Sequence, residues 1–259
     1  MIYLLGGEGF VGSAYARLLE SRGIEHKVIT RANYDNFRGT ACDVLINANG
    51  NSRKYMANRD PLWEFDASVR STAESLASFK AEKYILLSSG DVYPDQSNPE
   101  LTQEDLPIDV SRVSRYGVHK YLGEKLVQGA QKNWLVFRMG GFVGPGLKKN
   151  AVYDMLHNDP VWLDPESQLQ FISTNQAADI ILNIVESNAN QEIINIGALE
   201  TIKLIDLHKK INSESVFQEN APLVRYELCL EKLQSLAKSP LPTSDDEVNT
   251  FLDSALKRN

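Results

Sequence analysis

A tyrosine and a lysine one helical turn apart, Tyr116 and Lys120 in RYGVHKYLGEK, are the residues of this chain best suited to moving a proton. On a helix, positions i and i+4 share a face, which brings phenol and ammonium together. A phenol ordinarily ionises near pH 10. A neighbouring ammonium favours the phenolate and brings the group toward acid or base work near neutrality. The same spacing occurs on solvated helices without any role, so context decides. Ser88-Ser89-Gly90-Asp91-Val92-Tyr93 follows an apolar run that reads as a central strand. Open α/β sheets place their ligands at such C-terminal strand ends. Ser88 or Ser89 there could hydrogen-bond a carbonyl or hydroxyl, although an ordinary strand-end turn uses the same residue type.

A second cluster is built from glycine. Gly6, Gly9 and Gly12 form GxxGxxG directly after the apolar run at residues 2–5 and open a helical pattern. Glycines there allow a tight turn, close approach of backbone to a pyrophosphate, and helix–strand packing. The helix N-terminus adds free N–H groups and partial positive charge. A carboxylate about 20 positions past such a loop would bind the 2′-hydroxyl of NAD. This chain has Thr30 and Arg31 at that place instead. A hydroxyl and a guanidinium suit a 2′-phosphate, which puts NADP ahead of NAD.

The elements that must position these residues follow from periodicity. Strands are predicted at residues 2–5, 27–30, 43–48, 84–88 and 134–138, and helices at 10–22, 61–80 and 116–131. The 61–80 helix is expected to begin at Pro61 and bury Leu62, Phe65, Val69, Leu76 and Phe79. The alternation implies an α/β fold, a doubly wound parallel sheet with right-handed crossovers. The short stretch between Thr30 and Asp43 predicts a crossover reduced to a loop. Beyond the Gly144-Pro145-Gly146 breaker the pattern is less regular. Strands are expected at 171–173 and 193–196, with helices at 175–186, 204–211, 228–237 and 245–256.

Composition narrows the classes. The chain has 259 residues, 42% hydrophobic and 24% charged, as ordinary folded domains do. Its net charge of −7 disfavours a nucleic-acid binder. Two distant cysteines, Cys42 and Cys229, make neither a disulfide framework nor a zinc pattern, and the four histidines show no metal spacing. Cys42 is read as a small buried hydrophobe, and His119 as a neutral helix histidine. Trp63, Trp134 and Trp162 are read as core or domain-interface residues. The apolar start lacks a basic region, and no run approaches the ~18 apolar residues of a membrane span. A cytoplasmic protein without membrane or nucleic-acid partners is expected.

GGEGFVGS, DVLINANG, YILLSSGDVYP, YGVHKYLGEK and FRMGGFVGPG occur in an order that resembles the extended short-chain dehydrogenases/reductases, the NAD(P)-dependent epimerase/dehydratase family. FISTNQAADII, INIGALETIKLIDL and EKLQSL resemble its C-terminal half, so the likeness spans nearly the whole chain. The resemblance implies a Rossmann domain at 1–145 and 171–196, and a smaller α/β substrate-binding part at 146–170 and 197–259. It implies Tyr116 as acid/base, Lys120 as its activator and ribose ligand, and Ser89 as the hydroxyl that orients the reacting carbonyl. Gly6, Gly9, Phe10, Val11 and Gly12 would hold the pyrophosphate. Ala48, Asn49, Gly50 and Phe142 would line the cofactor. A homodimer through the 61–80 and 116–131 helices is implied, acting on a nucleotide sugar, in keeping with polysaccharide biosynthesis.

The chain departs from the family at substrate positions. The dehydratases' Asp-Glu pair reads Gly90-Asp91 here, which disfavours a 4,6-dehydratase and leaves Asp91 for substrate binding. Gly141 and Leu169 stand where the epimerases usually carry Asn and Arg, and Ser68 stands for an Asn. Lys148, Lys149 and Asn150 are candidates to replace those groups. The short 30–43 segment resembles the dTDP-4-dehydrorhamnose reductases. With Thr30-Arg31 it favours a net reductase over an NAD-retaining 4-epimerase. A non-catalytic dinucleotide sensor is the reading from another class.

Overall fold

A computed structural model of the chain describes residues 1–51 and 53–256. Residues 257–259, the tail of the predicted substrate-binding part, lie outside the described residues. In chain order the first elements are β1 (Ile2–Leu5), α1 (Gly12–Ser21), β2 (His26–Ile29), α2 (Tyr34–Phe37), β3 (Ala41–Asn47), α3 (Met56–Arg59) and α4 (Pro61–Phe65). A π turn, Asp66–Arg70, leads into α5 (Ser71–Ser78), β4 (Lys80–Ser89), α6 (Arg115–Ala130) and β5 (Trp134–Met139). There follow β6 (Gly141–Val143), α7 (Ala151–His157), β7 (Gln168–Leu169), β8 (Phe171–Ser173), α8 (Thr174–Val185) and β9 (Glu192–Ile196). The chain ends with β10 (Ile202–Lys203), α9 (Leu204–Ile211), β11 (Arg225–Tyr226), α10 (Glu231–Leu236) and α11 (Ser244–Leu256). No described helix is long and apolar enough to cross a membrane.

Two compact units result, one from residues 1–94, 107–139 and 178–195, the other from 95–106, 140–177 and 196–259. The first holds a six-stranded sheet in the order β2-β1-β3-β4-β5-β9. Its pairings from β2 through β5 are parallel. One row of that register reads Tyr3, Leu45, Tyr84, Trp134 across four strands. These side chains pack with Leu5, Leu86, Val136, Ile29, Phe79 and Val127 into one core layer. All six residues of β5 are buried, as expected of a strand covered on both faces. Cys42 is buried in the same layer, which pushes its thiol up to about 11. The second unit has its own core around Val143, Val152, Met155, Phe171, Leu207 and Val248. A parallel β6–β8 pair and the small sheet β10-β7-β11 frame it. α11 seals β8: Ser244 Oγ accepts from Phe171 N at 3.1 Å, and Glu247 Oε2 from Ser173 N at 2.6 Å.

Four expectations are corrected. The crossover after Thr30 is not all loop: it contains the one-turn α2. The helix predicted at 61–80 runs without a gap from Pro61 to Ser78 with a π turn at Asp66–Arg70, and ends two residues early because Phe79 goes extended and Lys80 already pairs in β4. Its buried face is also different. Leu62 and Phe65 are exposed, at 79% and 38%, while Glu64, Ser68, Thr72, Ser75 and Ser78 are buried beside Val69. The small hydroxyls allow close packing: Ser71 and Thr72 return their hydroxyls to the carbonyls of Ala67 and Ser68, so no donor is stranded. Of the tryptophans, Trp134 is buried, whereas Trp63 and Trp162 are exposed.

Candidate active site

The strand order reverses between β1 and β3, so the loops leaving these two strands flank the crevice of an open α/β sheet. The loop after β1 is the glycine cluster. Gly6 sits at φ +74°, and a Cβ on it would lie 2.8 Å from the carbonyl oxygen of Ala48, after β3. A Cβ on Gly12 would lie 2.2 Å from Gly6 O. No side-chain oxygen caps α1; its Ser13 and Ala14 amides donate to the carbonyls of Gly9 and Val11 within the loop. The cradle thus fits a dinucleotide pyrophosphate. Gly12→Ala forces backbone against backbone. It should cost about 1–3 kcal/mol, read by thermal melting, and abolish NADH and NADPH binding, read by fluorescence titration.

At the end of β2, Asn33 Oδ1 accepts from Thr30 N at 2.7 Å and its Nδ2 donates to Val28 O, which fixes the turn that displays Arg31. Arg31 is exposed and makes no hydrogen bond or ion pair among the described residues. At the end of β3, buried Asn47 donates to Tyr84 OH at 2.7 Å and accepts from Asn49 N at 3.0 Å. It therefore ties the Ala48-Asn49-Gly50 segment to the sheet. Gly50 has φ +135°, and a Cβ there would lie 2.6 Å from Lys120 Nζ. The third-strand loop and the lysine thus meet directly.

Strand alternation separates the two serines of β4. Ser88 Oγ donates to buried Glu124 at 2.6 Å. Ser89 Oγ donates to Asp91 Oδ2 at 2.8 Å and accepts from Asp91 N, closing the turn after the strand. Lys54 Nζ binds the other carboxylate oxygen of Asp91 at 2.6 Å. Ser89 is therefore the serine on the Tyr116 side, and its hydroxyl acts on the phenol in the direction of the phenolate.

α6 is capped by Ser114, whose Oγ accepts from Gly117 N at 3.2 Å. A Cβ on Gly117 would come within 2.0 Å of Asp91 O, so glycine lets the helix press against the Ser89–Asp91 turn. Tyr116 is buried and Lys120 half-buried, with Nζ 5.8 Å from the phenol ring centre. Burial, then the charges of Asp91 and Glu64, hold Tyr116 as the neutral phenol, against the Ser89 hydrogen bond. Burial lowers the proton affinity of Lys120, and Glu64, Asp91 and Glu124 oppose that. Glu124, one turn further on, forms a two-pronged pair with Arg138 at 3.2 and 2.9 Å. The guanidinium stacks 4.7 Å above the Tyr93 ring.

Glu64 is fully buried and is bound by Ser68 Oγ and by His119 Nδ1, on the turn between Tyr116 and Lys120. Glu64, Asn47, Lys54 and the Ser88–Glu124–Arg138 chain escaped the sequence reading. Glu124 alone had a local signal, standing i+4 from Lys120. Phe142, Lys149 and Asn150 belong to the second unit. Asn150, at φ +123°, donates to Phe142 O at 2.8 Å and caps α7 by accepting from Tyr153 N at 3.0 Å. Lys149 is exposed.

The family model for the NAD dependent epimerase/dehydratase family matches residues 2–197. No curated protein matches the chain in sequence. Among solved structures, MoeE5 in complex with UDP-glucose and NAD superposes with a TM-score of 0.82 at 14% identity, covering 99% of both chains. UDP-glucuronic acid 4-epimerase from Bacillus cereus, with UDP-glucuronic acid and NAD, gives 0.80 at 19% identity, over 100% of this chain and 99% of that one. TunA, an NAD-dependent NDP-hexosamine 5,6-dehydratase, gives 0.80 at 18%, over 100% and 98%.

Proposed function

Because the chain belongs to the NAD dependent epimerase/dehydratase family, we propose that it exchanges a hydride between a nicotinamide dinucleotide and one carbon of a nucleotide-activated sugar. The observation that carries this reading is the meeting of Ser89, Tyr116 and Lys120 beside the loops of β1 and β3. Gly6, Gly9, Phe10, Val11 and Gly12 would hold the pyrophosphate, and Ala48, Asn49, Gly50 and Phe142 the rest of the cofactor. The bound dinucleotide supplies the hydride. Ser89 orients the substrate oxygen, Tyr116 gives that oxygen its proton as the carbon is reduced, and Lys120 supports the phenolate that remains. Asp91, Lys149 and Asn150 are assigned to the substrate. Burial, with the charges of Asp91 and Glu64, favours the phenol form of Tyr116, the form that donates a proton.

The cofactor is assigned as NADP ahead of NAD, from Thr30, exposed Arg31 and the lack of a carboxylate there. Calorimetric titration should show tighter NADPH than NADH binding, and Arg31→Asp should remove that preference by about tenfold or more. Equal or tighter NADH binding with Arg31→Asp indifferent sinks the NADP assignment. The second reading, a 4-epimerase that retains NAD, draws on neighbours described as epimerases holding NAD. Dinucleotide that stays with the purified protein would move it to first place. Exposed Leu62, Trp63 and Phe65 on α4 and Leu122 on α6 support pairing of two copies across these helices.

A further inference from the structure

A serine hydroxyl has one proton to give and two lone pairs that accept. Asp91 claims two of these three in Ser89. Its carboxylate can only accept, so Ser89 Oγ donates to Oδ2, at 2.8 Å. Its main-chain N–H can only donate, so the same Oγ accepts from it, at 3.2 Å. What Ser89 has left for a substrate is a lone pair. Asp91 is held in this role from its other side, because Lys54 Nζ binds Oδ1 at 2.6 Å. The turn itself is fixed by α6: the carbonyl of Asp91 lies against Gly117, where a Cβ would come within 2.0 Å of it. Both carboxylate oxygens are thus engaged inside the protein, and Asp91 acts on a substrate through Ser89.

We propose that Asp91, oriented by Lys54, is a positioning residue that makes Ser89 a hydrogen-bond acceptor, so that the site favours the alcohol form of its sugar over the carbonyl form. The proposal rests on the reading of Ser89 as the hydroxyl that meets the reacting oxygen. A substrate alcohol can donate to the remaining lone pair. A carbonyl oxygen brings a second acceptor against it, and gains a donor only if Ser89 leaves Asp91. That bond is to a charged group and is stronger than a neutral one. Asparagine at position 91 would reverse the arrangement. An ammonium only donates, so Lys54 takes the amide oxygen and leaves the amide NH2 facing Ser89 Oγ. Ser89 must then accept from the amide, and its proton is released to the substrate.

The test measures complexes that cannot react, by calorimetry on the full chain. The alcohol probe is UDP-6-deoxyglucose with the reduced dinucleotide bound, and the carbonyl probe is UDP-4-keto-6-deoxyglucose with the oxidised one. The two sugars differ only at C4. Asp91→Asn should weaken the alcohol and tighten the ketone, changing the ratio of their dissociation constants by about tenfold. A merely structural role for Asp91 would weaken both alike. Lys54→Met alone should leave the ratio in place, since a carboxylate accepts from Ser89 with or without its cation. Lys54→Met/Asp91→Asn lets the amide turn its oxygen to Ser89, and the ratio should return toward that of the wild type. Should Asp91→Asn not fold, Ser89→Ala removes the lone pair and must weaken the alcohol more than the ketone. A ratio unmoved by Asp91→Asn or by Ser89→Ala overturns the proposal and leaves the active-site reading intact. A wild type that binds neither sugar, nor the corresponding dTDP pair, overturns the nucleotide-sugar reading and the proposal with it.

Discussion

Replacement of Tyr116 by phenylalanine is expected to slow turnover by about 10²–10⁴-fold, with dinucleotide affinity nearly unchanged. The variant keeps the ring and loses one oxygen. In the proposed reaction that oxygen passes the proton to the substrate, and Lys120 Nζ lies 5.8 Å from the ring centre. No other acid replaces it: Asp91 is held by Lys54 and Ser89, and Glu64 by Ser68 and His119. The fold should tolerate the change, because a buried hydroxyl is removed without leaving a charge. Steady-state kinetics on a reducible nucleotide sugar, with dinucleotide titration in parallel, separates the two effects. Turnover near the wild-type rate would remove Tyr116 from its role. A parallel collapse of cofactor binding would mean that the phenol builds the cofactor pocket instead.

The second large effect concerns stability. Arg138 and Glu124 are 1% and 0% exposed, so removing either strands the other as an uncompensated charge. Arg138→Leu should cost about 3–5 kcal/mol. For a chain of this size that corresponds to a fall in Tm of roughly 10 °C or more. The reason is the stranded carboxylate, left with the Ser88 Oγ hydrogen bond as its one side-chain hydrogen bond among the described residues. The double variant Glu124→Leu/Arg138→Leu should therefore recover much of the loss, since a buried pair can be replaced by apolar side chains at little net cost. A double variant as unstable as the single would show that lost packing, including the stack on Tyr93, sets the penalty instead.

How much of this was legible in sequence depended on the range of the governing interaction. The glycine loop was legible because its constraint is local: only glycine fits the tight turn between β1 and α1. The sheet's strands were legible because apolar runs bounded by glycine and polar residues need no knowledge of partners. The 61–80 segment misled because its most apolar residues, Leu62 and Phe65, stay outside while Glu64 and Ser68 go in. Helical periodicity marks a face, but a π turn changes the register, and a buried carboxylate becomes reasonable only once its imidazole is known. That imidazole lies 55 residues away in the chain. From the local residues alone Ser88 and Ser89 could not be told apart, and only the family resemblance singled out Ser89, because Glu124 and Asp91, which claim them, are identified only by packing.

The position of β9 in the sheet has a consequence for biosynthesis. β5 lies between β4 and β9, yet residues 140–177, one segment of the second unit, are made between β5 and β9. While the ribosome works through that interval, the entirely buried strand TrpLeuValPheArgMet has one unpaired edge. Such an edge is a template for another chain. Only the emergence of residues 192–196 closes it. Neither unit is therefore encoded as a contiguous stretch. A nascent chain that stalls or is cut between residues 140 and 191 leaves the sheet with an open edge, prone to self-association, so synthesis past β9 is itself a condition for the sheet to stay soluble.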